Sequence, residues 1–192
     1  MSGKVRYIKS AVFPKDYPQH KFLEVVFCGR SNAGKSSLLN LFAGGKVAHV
    51  SQTPGKTRLI NFFDFNKTYV LVDVPGYGFA KRERKETEQW QEMMEVYLSK
   101  RQCLGGLIIV MDIRRDWSQE EEDLRRFANH HSTPVVIAAT KIDKITKTEV
   151  KKRILELTKQ SQGLQVYPVS SQEKIGHEEL EEFVFNEWIR ES

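Results

Sequence analysis

Eight consecutive residues limit what this chain can fold into more than any other feature. They are Gly29-Arg30-Ser31-Asn32-Ala33-Gly34-Lys35-Ser36, a match to GxxxxGK[ST]. Such a loop works between a buried strand and a helix, where backbone N–H groups turn inward around an anion and the helix N-terminus adds partial positive charge. Both flanks are present: Phe22 to Cys28 is mostly apolar and runs into Gly29, and a helix is predicted from near Lys35 with Leu38, Leu39 and Phe42 on its inner side. In that setting Lys35 neutralises the β and γ oxygens of a nucleoside triphosphate, and Ser36 ligates Mg²⁺.

The remaining pattern alternates strands with helices. Leu59–Phe65 and Thr68–Val74 read as strands joined by Asn66-Lys67, a two-residue connection that implies an antiparallel hairpin although Asn-Lys is a weaker turn signal than Asn-Gly. Residues 86–99 carry Trp90, Met93, Met94 and Tyr97 at helical spacing. Leu107–Met111, Pro134–Thr140 and Leu164–Val169 are further strands. Ser118 and Glu121 form a capping box; Val150, Ile154 and Leu157 mark a fourth helix, and Leu180, Phe183, Val184 and Trp188 a last one. This order predicts an α/β domain of three layers, with about six strands, mostly parallel, and one antiparallel hairpin. Residues 1–20, broken by Pro14 and Pro18, read as an extended arm packed on a single domain of residues 21–192.

Composition narrows the class. A chain of 192 residues that is 40% hydrophobic builds one real core, which excludes wholesale disorder. The longest apolar run, Leu107 to Met111, is too short to cross a bilayer, and the first residues do not resemble a signal peptide. Cys28 and Cys103 sit in no metal-ligand spacing, and the five histidines are scattered, so a reduced, cytoplasmic protein without a disulfide framework is expected. A net charge of +5 permits a polyanionic partner without requiring one.

Three short motifs fall at successive strand ends. Asp73-Val74-Pro75-Gly76 lies 37 residues after Ser36; its aspartate can hold a metal-bound water and the Gly76 N–H can meet a γ-phosphate. Thr140-Lys141-Ile142-Asp143 ends the next strand but one; its aspartate can accept from N1–H and N2–H₂ of guanine, a pair adenine lacks, and Lys141 can lie along the base. Val169-Ser170-Ser171 can offer a backbone N–H to guanine O6. Each alone is an ordinary turn. Together they occupy the edge where ligands gather in doubly wound sheets.

In order and spacing these stretches resemble the translation-factor class of P-loop GTPases, in the group containing TrmE, Era, EngA, EngB and septins. The nearest resemblance is to the EngB/YsxC (YihA) family of ribosome-assembly GTPases, carried by Gly29–Ser37, Ser51–Phe63, Asp73–Phe79 and Thr140–Asp143. The resemblance implies a Ras-like fold, Mg²⁺-dependent binding of GTP and GDP, slow GTP hydrolysis, and a monomer that works off the membrane. It adds Ser37, Gly55, Lys56, Thr57, Arg58 and Leu59 to the nucleotide contacts, and makes Lys35, Thr57 and Gly76 the residues acting on the γ-phosphate. Thr57, rather than Thr53, is implied as the switch I ligand of Mg²⁺, beside Ser36 and, through water, Asp73. Asn32 becomes a candidate K⁺ ligand. The implied output is assembly of the bacterial large ribosomal subunit through its rRNA and proteins, with loss felt in growth, division and septation.

Tyr77 departs from Ras, which places a water-orienting glutamine there. Either another residue or ion helps, or the intrinsic rate is very low; Tyr77 itself also reads as an aromatic packed beside the switch. Lys81, Arg82, Arg84 and Lys85 follow the switch II motif and read either as an rRNA contact or as a solvated helix face. Two rivals are a small-molecule P-loop kinase, which has no use for Thr140–Asp143, and a non-enzymatic RNA-binding module that keeps a structural nucleotide.

Overall fold

The structure is a computed structural model that describes residues 5–47, 59–78 and 84–190, with the side chains of 84–87 excepted. Its strands are β1 (Val5–Ala11), β2 (Glu24–Gly29), β3 (Ile60–Phe65), β4 (Tyr69–Asp73), β5 (Leu104–Asp112), β6 (Val135–Thr140) and β7 (Val166–Val169). The helices are α1 (Lys35–Phe42), α2 (Arg84–Lys100), α3 (Gln119–His130), α4 (Lys147–Gln160) and α5 (His177–Phe183), the last continuing in π-type turns over Val184–Arg190. The strands form one sheet in the order β1-β3-β4-β2-β5-β6-β7, in which β3 alone runs against its neighbours.

Alternation along β2 explains the layering. Val25 and Phe27 face a core shared with Leu38, Leu39 and Phe42 of α1 and with Leu180, Val184 and Trp188. Val26 and Cys28 face the other side, against Trp90, Met94 and Tyr97 of α2 and Leu124 of α3. Every residue of β2 and β4 is buried, as expected of central strands covered on both faces. Cys28 is a core residue whose thiol burial pushes up to about 12, so it is no nucleophile at neutral pH.

The expected hairpin between β3 and β4 is present, and the N-terminal arm departs from expectation. Asn66 and Lys67 both take positive φ, 53° and 56°, the signature of a type I′ turn. The Lys67 N–H is held by Asp64 Oδ1 at 2.8 Å, a partner supplied by the preceding strand, which compensates for the weak turn dipeptide. The N-terminal arm, in turn, adds a seventh strand. β1 pairs antiparallel with β3 from Val5 opposite Phe65 to Ala11 opposite Ile60, with a bulge between Tyr7 and Lys9. Pro14 then opens a 3₁₀ turn, since a residue without an N–H cannot extend the ladder.

At the start of β2, far along the strand from the phosphate loop, Glu24 is fully buried. Its Oε1 accepts from Arg101 Nη2 at 2.6 Å and Nε at 2.9 Å and lies 2.9 Å from His20 Nε2; its Oε2 accepts from Tyr97 Oη at 2.5 Å. Among the described residues, His20, Glu24 and Cys103 form the one group close enough together to hold a metal ion. The guanidinium of Arg101 already neutralises that carboxylate.

Candidate functional site

β2 ends at Gly29 and α1 begins at Lys35, so the loop between them sits at the C-terminal edge of the sheet. Asn32 (φ 64°) and Gly34 (φ 95°) turn the backbone through left-handed conformations, and Gly34 suits this turn because it has no Cβ. The loop is tied down from the β6 side. Thr140 Oγ1 lies 2.5 Å from the Ala33 carbonyl and 3.0 Å from that of Met111, and Lys141 Nζ donates to the Asn32 carbonyl at 2.7 Å. Lys141 also pairs with Asp112, at 3.1 Å, the last residue of β5. Burial alone would push the Asp112 carboxyl up, but hydrogen bonds from Arg114 and Lys141 hold it down at about 2. Sequence reasoning ended that strand at Met111 and passed over Asp112; a charged residue closing an otherwise apolar run was the available signal.

The segment after β4 pairs with the same loop. Ser31 N–H donates to the Tyr77 carbonyl at 2.9 Å, and Tyr77 N–H donates to the Gly29 carbonyl at 3.2 Å. Gly76 lies so near that a Cβ there would come within 3.2 Å of Ser31 N. The Tyr77 side chain turns inward: its ring packs on Trp90 at 5.1 Å and its hydroxyl donates to Glu121 Oε1 at 2.8 Å. Burial holds the phenol well above its ordinary range, so it remains neutral. Tyr77 is therefore a packed aromatic. Trp90 Nε1 donates to the Pro75 carbonyl at 2.7 Å, fixing the other side of the turn.

At the far end of the edge, Asp143 Oδ1 accepts from Ser170 Oγ at 2.7 Å and the carboxylate pairs with Lys144 at 3.0 Å. Those two hydrogen bonds, Ser170 first, hold the acid below its usual range, so Asp143 is an anion at neutral pH and an acceptor only. A cleft of about 730 Å³ runs from α1 to these loops, lined by Gly34, Ser37, Asn40, Asp143, Lys144 and Ser171. On the phosphate side the Lys35 ammonium pairs with the Asp73 carboxylate, both nearly buried. Ser36, in the first turn of α1, and Asp73, at the end of β4, offer hard oxygen donors beside the loop, a donor set that fits Mg²⁺.

The edge thus brings together Gly29–Ser37, Asp73–Gly76, Thr140–Asp143 and Val169–Ser171. Leu59 directly precedes β3 and is partly exposed. Gly55, Lys56, Thr57, Arg58, Lys81 and Arg82 lie outside the described residues; Arg84 and Lys85 open α2, with side chains also outside them.

A strand–phosphate loop–helix unit, an Asp-x-Pro-Gly turn beside it and an anionic Thr-Lys-Ile-Asp loop at the end of β6 on one Ras-like sheet define a P-loop GTPase. Residues 24–141 match the family described as 50S ribosome-binding GTPase. The chain is 44% identical over 191 residues to the probable GTP-binding protein EngB of Bdellovibrio bacteriovorus, covering 100% of this chain and 96% of that protein. It is 39% identical over 192 residues to the probable EngB of Coxiella burnetii, covering 97% and 93%. The chain belongs to the EngB family of GTP-binding proteins. In fold it is similar to a crystal structure of a probable GTP-binding protein engB, with TM-score 0.72, 23% identity and coverage of 88% of this chain and 99% of that one. An Era variant from Aquifex aeolicus bound to GDP·AlF4⁻ is similar at TM-score 0.69 and 24% identity, over 88% of this chain and 57% of that one.

Proposed function

We propose that this GTPase is a Mg²⁺-dependent switch, slow in hydrolysis, that acts in the cytoplasm in assembly of the large ribosomal subunit, with loss disturbing growth, division and septation. One observation carries the nucleotide half of the reading: the base-reading loop is bolted to the phosphate loop, through Lys141 on Asn32 and Thr140 on Ala33. A single ligand gripped at both ends couples the two. The ribosomal half is supported by the match to the 50S ribosome-binding GTPase family and by a net charge of +5.

The residues divide the work by chemistry. Lys35 exchanges the Asp73 carboxylate for phosphate oxygens, and the N–H groups of Lys35, Ser36 and Ser37 in the first turn of α1 hold the phosphates. Ser36 and Thr57, with Asp73 through water, would hold Mg²⁺, which when bound neutralises charge on the β and γ oxygens. Gly76 offers its N–H to the γ-phosphate, and Asp143 reads guanine with Ser170 and Ser171 beside it. Phosphoryl transfer needs positioning and charge neutralisation rather than covalent catalysis, so this set suffices for a slow reaction. With Tyr77 turned inward, Asn32 is assigned as a ligand of K⁺, an ion that would supply extra positive charge beside the phosphates. Faster hydrolysis in K⁺ than in Na⁺ at equal ionic strength, lost in Asn32→Ala, is the expected result. Lys81, Arg82, Arg84 and Lys85 are assigned to rRNA in a nucleotide-dependent contact. Co-sedimentation with purified large subunits in GTP, GDP and nucleotide-free states tests the whole reading; equal or absent association in all three would contradict it.

A further inference from the structure

We infer that the outer edge of β1, with the turn after it, is a second RNA-binding surface, one that does not depend on which nucleotide is bound. This rests on the large-subunit reading above and names a part of the molecule that reading leaves idle. Of the seven large hydrophobic side chains exposed among the described residues, Tyr7, Val12 and Phe13 belong to this segment, and Leu59 precedes Ile60, the register partner of Ala11. Tyr7 is 55% exposed and Phe13 60%. Arg6, Lys9 and Lys15 stand between and around them in sequence, and from Val5 to Lys15 there is no acidic residue. In the sheet Tyr7 shares a face with Phe63, whereas Arg6 and Lys9, opposite Asp64 and Phe62, lie on the other, so the edge carries its ring and its cations on its two sides.

Edge strands are often blunted with charge and a bulge, and β1 has both. That accounts for Arg6, Lys9 and the irregularity between Tyr7 and Lys9, but not for two large aromatics left in water. Tyr7 rests edge-on against Phe63 at 5.8 Å, which steadies the ring with much of it free. Lys15 Nζ lies 6.0 Å from the Phe13 ring. The Arg6 side chain is 76% exposed and reaches the nearly buried Asp64 carboxylate at 3.3 Å, with Asp64 also held by the Lys67 N–H. Cations that meet phosphates along an edge, with flat rings beside them that take unstacked bases, are the chemistry of a single-stranded RNA platform. An extended peptide adding to the edge is the poorer fit, since the bulge interrupts the ladder such a strand would continue. Because β1 is held in the sheet through β3 from end to end, its contribution should be the same in GTP and GDP.

The test uses the full chain with two probes, purified large subunits and protein-free rRNA extracted from them. Tyr7→Ser combined with Phe13→Ser should weaken binding to both probes by about fivefold or more for each ring engaged. Arg6→Gln combined with Lys15→Gln should lower the salt slope on rRNA by about 0.7 per lost phosphate contact. Both losses should be equal in GTP and GDP, with GDP affinity unchanged as the check on folding. Variants that bind both probes like wild type overturn the inference. So does a loss seen on subunits but not on rRNA, which would make the occupant a ribosomal protein, and so does a loss confined to one nucleotide state. Wild type that fails to sediment with subunits in every state overturns the large-subunit reading itself.

Discussion

At its first residue β2 carries a fully buried carboxylate, Glu24, and at its last residue, five positions on, it opens into the phosphate loop. Both ends of the strand gather charge, yet they resolve it differently. Around Glu24 every strong donor comes from the protein: Arg101 from just beyond α2, Tyr97 from within it and His20 from the segment before β2. At the loop end the polar groups are matched more thinly, Lys35 with Asp73 and Asp143 with Ser170 and Lys144, along an open cleft. A closed set of partners stabilises; a set whose partners can be exchanged for a ligand binds. The same strand therefore serves as an anchor at one end and a ligand edge at the other, and mutations at the two ends should separate stability from affinity.

The largest effect is expected at the anchor. Arg101→Ala leaves Glu24 buried without its main counter-ion and should cost about 3–5 kcal/mol of folding stability. Urea denaturation measures the loss, and GDP affinity of the folded protein should stay unchanged. A fall in GDP affinity as large as the fall in stability would break the distinction between the two ends.

Next in size is Asp143→Asn, which reverses the hydrogen-bond polarity at one side-chain position. Loss of charge-assisted bonds to guanine should cost about 1.5–3 kcal/mol, or one to two decades of GDP affinity, with a gain for xanthosine diphosphate. Titration with both nucleotides checks it. Thr140→Val keeps the shape of the β6 end but removes the hydroxyl beside the Ala33 and Met111 carbonyls. It should cost about 0.5–1.5 kcal/mol of GDP affinity, seen as faster GDP release in stopped flow, because the phosphate loop loses a tie to the loop after β6.

The most gradual effect is on acid stability. Burial would raise the Glu24 carboxyl, but hydrogen bonds from His20, Arg101 and Tyr97 outweigh it and hold the group below its ordinary 4.5. A carboxyl depressed in the folded state contributes stability above its unfolded value and loses it as pH falls through the folded one. The stability gap between wild type and Glu24→Gln should therefore narrow as pH drops below about 4.5. A gap that stays constant or widens toward acid would show that Glu24 is not held ionised.

Much of the ligand edge was legible in the sequence, because its motifs couple residue type to backbone geometry: Gly34 for a left-handed turn, Ser36 at a helix start, Asp143 at a strand end. The anchor was not. Glu24 sits inside an apolar run, and its partners His20, Tyr97 and Arg101 are brought to it only by the packing of α2 on the sheet. β1 escaped for a similar reason. Its mixed polar and aromatic composition is that of an edge strand with one wet side, and only pairing with β3 shows that it is a strand at all. The direction of Tyr77 depended on Glu121 and Trp90, 44 and 13 residues away.

If this edge holds a guanine nucleotide by both its base and its phosphates, it must discriminate among nucleotides by the base alone. Competition of unlabelled GTP, XTP and ATP against fluorescent GDP on the wild-type protein tests it directly. GTP should displace the label at a concentration at least about tenfold below that needed for XTP or ATP, the share of discrimination expected from the Asp143 carboxylate. Equal displacement by all three would contradict it.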